Sequence, residues 1–185
     1  MSVLICYDGS PSAKVAVVSA AATLTQAGFP GRDVTLLHVW NEPTGVTDSF
    51  DYKDDPGAPS PERMIDTAER WAKETIDAGR SLAMDHGLMP RTLIARNDSS
   101  VPATILRIAN EQESSLIVLG AHPRGTPGPT LDSVSSAVIA ASPRPVLVIP
   151  MTTANQASVV LARRQAAANV EAPQTVGTAW GEIRI

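Results

Sequence analysis

The residues best placed to do chemistry in this 185-residue chain fall in two short loops. The first is Asp8-Gly9-Ser10, which sets a carboxylate and a hydroxyl around a glycine directly after the apolar run at residues 3–7. The second is residues 120–130, Gly-Ala-His-Pro-Arg-Gly-Thr-Pro-Gly-Pro-Thr, which follows the apolar run 115–120 and leads into Asp132-Ser133-Val134-Ser135. Glycines, hydroxyls and a helix start suit an anion, because backbone N–H groups and the positive end of the helix dipole converge there. Arg124 and His122 add positive charge to the same loop. The residues also fit a plainer role, in which Gly and Pro build a tight loop and Asp132 or Ser133 caps the helix. Both readings stand at this point.

Other constellations are weaker. Asp8, His122 and Ser133 or Ser135 have the residue types of a hydrolytic triad, but no G-x-S-x-G elbow is present, so a small hydrolase is the remote reading. His38, His86 and His122 sit on separate elements without the spacing of metal ligands, so no metal site is expected. His38 lies in an apolar strand and reads as a satisfied core residue, and His86 ends a helix, where a cation suits the dipole. Cys6 reads as a small core hydrophobe rather than a redox sensor, which would need exposure and a lowered pKa. Trp40 either floors a crevice or packs under the loop that follows it, and Trp71 reads as helix packing.

The elements that must position these residues alternate in type. Apolar runs at residues 3–7, 34–40, 91–95, 115–120 and 145–150 are strand candidates. Between them, residues 12–27, 60–86, 101–111 and 132–141 carry helix signals: serine caps, an early proline, and Gly28 or Gly87 just past the end. The order β-α-β-α-β-α-β-α-β, with strands that are continuously apolar rather than alternating, predicts an α/β fold. It is an open parallel sheet buried on both faces, with helices on each side. In such a sheet the ligand crevice opens at the carboxyl ends of the strands where the strand order reverses. Residues 1–150 hold this domain. Within it, residues 41–60 form a long acidic loop, in which Glu42, Asp48, Asp51, Asp54 and Asp55 face a single Lys53. Residues 151–185 form a C-terminal extension, with a helix candidate at 159–168 and a strand candidate at 180–185.

Composition narrows the class. Hydrophobic residues make up 43% and charged residues 18%, which excludes a disordered polyelectrolyte. Fifteen Lys and Arg against nineteen Asp and Glu give a net charge of −4, which argues against a nucleic-acid partner. One cysteine excludes an internal disulfide framework. No basic leader with a long apolar stretch is present and no run approaches a membrane span, so a cytoplasmic protein is expected, with no membrane partner. Fifteen prolines exceed the number that usage of about 5% predicts.

Three pieces of the sequence resemble the universal stress protein family: the opening VLICYDGSPSA, the strand LLHVW, and the closing LIVLGAHPRG…SVSSAVIAASPRPVLVIP. The resemblance implies a Rossmann-like five-stranded parallel sheet of order 3-2-1-4-5, homodimers that pair through the last strand at residues 146–149, and ATP as a ligand. In ATP-binding members an aspartate after the first strand and a backbone valine after the second hold adenine; these match Asp8 and Val39. Ribose and phosphates are held by glycine, two residues, glycine, nine residues, glycine, then Ser or Thr. Gly120 matches the first glycine and Ser133 the closing hydroxyl, and the loop Gly125 with Val134 and Ser135 at the helix start are the further candidates for the ribose and phosphate side.

The match departs from the pattern in a physically telling way. Pro123 stands at the second glycine and Asp132 at the third, one residue early. Pro123, Pro127 and Pro129 carry no N–H to donate to a phosphate. A carboxylate at Asp132 about 5 Å from a phosphate repels it by roughly 3 kcal/mol at an effective dielectric near 20, about a hundredfold in affinity, unless Mg2+ bridges the two. The resemblance therefore implies one of two things. Either the chain is a stress-response module that binds or senses an adenine nucleotide through a degenerate phosphate loop, or it is a nucleotide-free dimer that acts through protein partners.

Overall fold

The computed structural model describes residues 2–29, 33–43, 60–121 and 133–151. Three of its helices start in the same way, and that is where part of the proline excess sits. Ser10, Ser60 and Ser100 are N-caps, each followed by a proline in the first turn. Their hydroxyls accept the N–H of Ala13 at 3.2 Å, of Arg63 at 3.4 Å and of Ala103 at 3.3 Å. A proline in the first turn has no N–H to leave unsatisfied, so cap and proline together define each start. The first two helices close at Gly28 and Gly87, whose φ angles of +68° and +82° lie in the left-handed region that glycine adopts freely.

In chain order the elements are β1 (Val3–Cys6), α1 (Pro11–Gln26), β2 (Val34–Trp40), α2 (Pro61–Asp85), β3 (Arg91–Arg96), α3 (Val101–Glu111), β4 (Leu116–Ala121), α4 (Ser133–Ala141) and β5 (Val146–Pro150). The five strands form one parallel sheet of order β3-β2-β1-β4-β5. Val3 pairs with Val34 on one side and Leu116 on the other, so β1 is the central strand. Val3, Leu4 and Ile5 have no exposed surface. A strand covered by helices on both faces needs apolar residues at every position, which is why β1 and β4 read as unbroken apolar runs.

Side-chain alternation divides the core in two. Val3, Ile5, Tyr7, Val34 and Leu36 pack with Val17, Ala21 and Leu24 of α1 and Ile76 and Ala83 of α2. Leu4, Leu37, Ile117 and Leu119 pack with Ile105, Ile108 and Ala109 of α3 and Val138 of α4. Helices therefore cover both faces, and the doubly wound α/β architecture is as expected, with ends shifted by a residue or so. Tyr7 leaves β1, although its N–H still reaches the Leu37 carbonyl at 2.8 Å.

Trp71 is a correction. Expected in helix packing, it is 66% exposed. The buried line of α2 runs through Ala72, Ile76, Gly79 and Ala83, and Trp71 stands about 100° around the helix from Ala72. Residues 44–59 and 152–185, with the helix and strand expected in the tail, lie outside the described residues. Among the described residues no helix is long and apolar enough to cross a membrane.

Candidate functional site

The strand order reverses between β1 and β4: from β1 the chain crosses to β2 on one side, and β4 lies on the other. At the carboxyl ends of these strands a cavity of about 270 Å3 opens, near the lower end of the roughly 300–1,000 Å3 typical of small-molecule sites. β1 and the loop after it contribute Cys6, Asp8 and Ser10; β2 contributes Leu37 and Val39; β4 contributes Leu119 and Gly120. The start of α1 adds Ser12 and Ala13, α3 adds Val101 and Ile105, and α4 adds Val134 and Ser135. The walls are branched aliphatics, with polar groups collected at the Asp8–Ser12 and Gly120–Ser135 sides.

Of the residues singled out in sequence, Asp8, Val39, Gly120, Val134 and Ser135 meet at this one cavity. Ser133 opens α4 beside it. Gly125, with His122, Pro123, Arg124 and Asp132, lies outside the described residues. Asp8 is exposed, and one of its carboxylate oxygens accepts the Ser10 N–H at 2.9 Å, an Asx turn made possible by Gly9 at φ +81°. The Ser10 and Ser12 hydroxyls stand 3.0 Å apart, and Ser135 donates to the Gly120 carbonyl at 3.3 Å.

Val39 has a particular backbone geometry. The Tyr7 N–H bonds to Leu37 on the β1 side of β2, and the Trp40 carbonyl accepts from Asn97 on the β3 side. Backbone groups alternate sides along a strand, so Val39 directs its N–H and C=O toward β1, beyond the last β1–β2 pair at Cys6 and Leu37. A donor and an acceptor side by side at the end of a strand are what the edge of a heterocyclic base needs.

Two expectations change here. Trp40 does not floor the crevice; it is buried on the other side of the sheet, in a cleft with Asp66, Arg70 and Ile94. Alternation places it with Leu36, while Leu37 and Val39 face the cavity. Cys6 is only half-buried: it packs against the second core and also lines the cavity. Burial, with the Asp8 carboxylate adding to it, pushes its thiol up to about 12, so it holds its proton at neutral pH, as a core hydrophobe and not a redox sensor would. His38 is satisfied as expected, its Nδ1 standing 2.8 Å from the Tyr7 carbonyl oxygen. Sequence reasoning missed Leu119, Val101 and Ile105 as cavity walls; the 3.6-residue spacing of the last two on α3 marked a buried face without saying that it bordered a void. Among the described residues no group of three His, Cys, Asp or Glu is placed to hold a metal ion.

A five-stranded parallel sheet of order β3-β2-β1-β4-β5 with a crevice at its switch point defines a Rossmann-like α/β domain. Residues 1–150 match the model of the Universal stress protein family, and the chain belongs to that family. Solved structures share the fold. The universal stress protein UspA from Lactobacillus plantarum is 23% identical, with a TM-score of 0.60, over 80% of this chain and 97% of that one. A universal stress protein from Archaeoglobus fulgidus in complex with dAMP is 23% identical, with a TM-score of 0.56 and the same coverage. A family protein from Arabidopsis thaliana with AMP bound is 17% identical, with a TM-score of 0.57, over 83% of this chain and 94% of that one. No curated protein matches the sequence.

Proposed function

We propose that the chain is a stress-response module that binds an adenine nucleotide in the cavity between β1 and β4, without a catalytic role. The observation that carries this reading is the meeting of Asp8, Val39, Gly120, Val134 and Ser135 at one cavity. The Asp8 carboxylate only accepts hydrogen bonds, so it pairs with the exocyclic amine of adenine, and the Val39 backbone offers a donor and an acceptor to the ring. Leu37, Val101, Ile105 and Leu119 supply apolar walls for the flat base. Ser133 and Ser135 at the start of α4, with Gly120 and Gly125, take the ribose and phosphate side. Relatives of the same fold with dAMP and AMP bound support the ligand class. In the sequence, Pro123, Pro127 and Pro129 offer no N–H to phosphates and Asp132 repels them. ATP, with Mg2+ offsetting Asp132, is therefore the weaker member of the series adenosine, AMP, ADP, ATP. Thermal-shift and calorimetric titration with that series tests the reading, and no response at millimolar nucleotide with Mg2+ refutes it.

A second reading concerns assembly. Among the described residues β5 is an edge strand whose Val146, Leu147, Val148 and Ile149 are all only half-buried, and open edges with apolar side chains invite pairing. A homodimer through residues 146–149 would cover it. Light scattering that returns a monomer at micromolar concentration removes this reading.

A further inference from the structure

β2 presents its side chains alternately to the two faces of the sheet. Leu37 and Val39 pack with the second core and line the cavity, whereas Leu36 packs with the first core beside α1 and α2. His38 lies between Leu37 and Val39, so its ring starts on the face away from the cavity. It nevertheless reaches the frame of the site. Its Nδ1 stands 2.8 Å from the carbonyl oxygen of Tyr7, the residue at which β1 leaves the sheet. A carbonyl has no proton to give, so in this bond Nδ1 carries the hydrogen and donates it.

We infer that His38 is a positioning residue for the site, acting from behind the sheet to set where the Asp8 carboxylate stands. The inference rests on the adenine reading of Asp8 given above. The Tyr7 carbonyl belongs to the same planar peptide unit as the Asp8 N–H, so fixing one fixes the direction in which the Asp8 Cα leaves. Tyr7 is held by its N–H on the Leu37 carbonyl and its carbonyl on His38, and its ring lies against Gly79 of α2 within the first core. Beyond it the chain turns at Gly9, and the Ser10 N–H closes on the Asp8 carboxylate at 2.9 Å. Asp8 is thus anchored on both sides, by His38 before it and Ser10 after it. Because Asp8 is itself exposed, these anchors decide whether its carboxylate points at one place or samples many.

A histidine retained only for packing would tolerate any residue of its volume, whereas a positioning histidine needs a donor where Nδ1 stands. Asparagine places an amide NH2 near that position; glutamine places it further out, and leucine has none. The test compares wild type with His38→Asn, His38→Gln and His38→Leu by calorimetry with adenosine and inosine, and by amide hydrogen exchange at Ser10. Inosine carries a carbonyl in place of the amine that Asp8 recognises. His38→Asn is expected to keep the adenosine preference. His38→Gln and His38→Leu are expected to lose about tenfold in adenosine affinity, leave inosine unchanged, and exchange the Ser10 amide about tenfold faster. Wild-type behaviour in His38→Leu overturns the inference, and so does an Asn variant that fails as the Leu variant does. If His38→Leu does not fold, the contrast between Asn and Gln decides by the same criterion. A wild type with no preference for adenosine refutes the adenine reading instead, and the Ser10 exchange rates still decide the role of His38.

Discussion

Gly120 of β4 lies so close to the first turn of α1 that a methyl group on it would stand 2.5 Å from the carbonyl oxygen of Ser12 and 2.6 Å from its carbonyl carbon. The glycine that opens the phosphate pattern in the sequence thus has a structural task as well: it lets the end of β4 approach the helix start, which adjoins it in the wall of the cavity. Backbone atoms cannot swing aside as a side-chain tip can. Gly120→Ala is expected to cost about 1–3 kcal/mol and to lower Tm by roughly 2–4 °C for each of those. Denaturant titration checks the stability, and nucleotide titration of the folded variant checks whether moving β4 also weakens binding.

Gly79 provides a parallel case on the same face of the sheet. It sits within α2, where alanine would ordinarily stabilise by about 0.5–1 kcal/mol. A methyl group there would come within 2.6 Å of the Tyr7 ring, which is itself buried. Overpacking should win, and Gly79→Ala is expected to be net destabilising by about 1–2 kcal/mol. Urea unfolding monitored by circular dichroism would show this, and a stabilised variant would mean that Tyr7 has room to move.

Asp8→Asn tests the recognition of the base. The amide keeps an oxygen to accept the Ser10 N–H, so the turn is preserved, but it removes the charge from the hydrogen bond to adenine. Charge-assisted bonds are worth about 1.5–3 kcal/mol, so adenosine affinity is expected to fall about ten- to a hundredfold with Tm unchanged. Calorimetry beside a thermal melt separates the two effects.

Cys6 gives a pH dependence. Its thiol ionises in the fold only near about 12, against about 8.5 in an unfolded chain. Below about 8.5 both states hold the proton and Cys6 adds no pH dependence; above it the unfolded state releases the proton first. Stability should therefore fall as pH rises from about 8.5 toward about 12, and Cys6→Ser should remove that component. At pH 8, alkylation of native Cys6 should be slower than in the denatured chain by about three orders of magnitude. Rapid native labelling, followed by mass spectrometry, would contradict the burial.

Legibility from sequence varied with the range of the interaction. The helix starts at Ser10 and Ser60 were readable because a cap and its proline act within one turn, whereas the third start was open between Ser99 and Ser100 and the structure uses Ser100. Val34–Trp40 was readable as a strand throughout because all seven of its residues are buried or half-buried, so the run is apolar almost without a break. Trp71 was not, because α2 is only partly covered and a large apolar residue on its open arc looks the same in sequence as one on its closed arc. Trp40 and Val39 are neighbours in sequence, yet alternation sends one behind the sheet and the other to the cavity.

By itself the sequence determined the alternation of strands and helices, the ends of the helices and the burial of β1, since caps, turns and hydrophobic runs are local properties of the chain. It also marked Asp8, Val39, Gly120, Val134 and Ser135 as candidates, through resemblance to a family. Only the tertiary structure decided that these five share a cavity with Val101, Ile105 and Leu119, that Cys6 borders it, and that His38 reaches Tyr7 across the sheet. Those contacts join residues from separate elements, with Tyr7 and His38 alone 31 positions apart. They exist because β1 lies between β2 and β4, a pairing set by how two helical layers bury one sheet and not by any short stretch of residues.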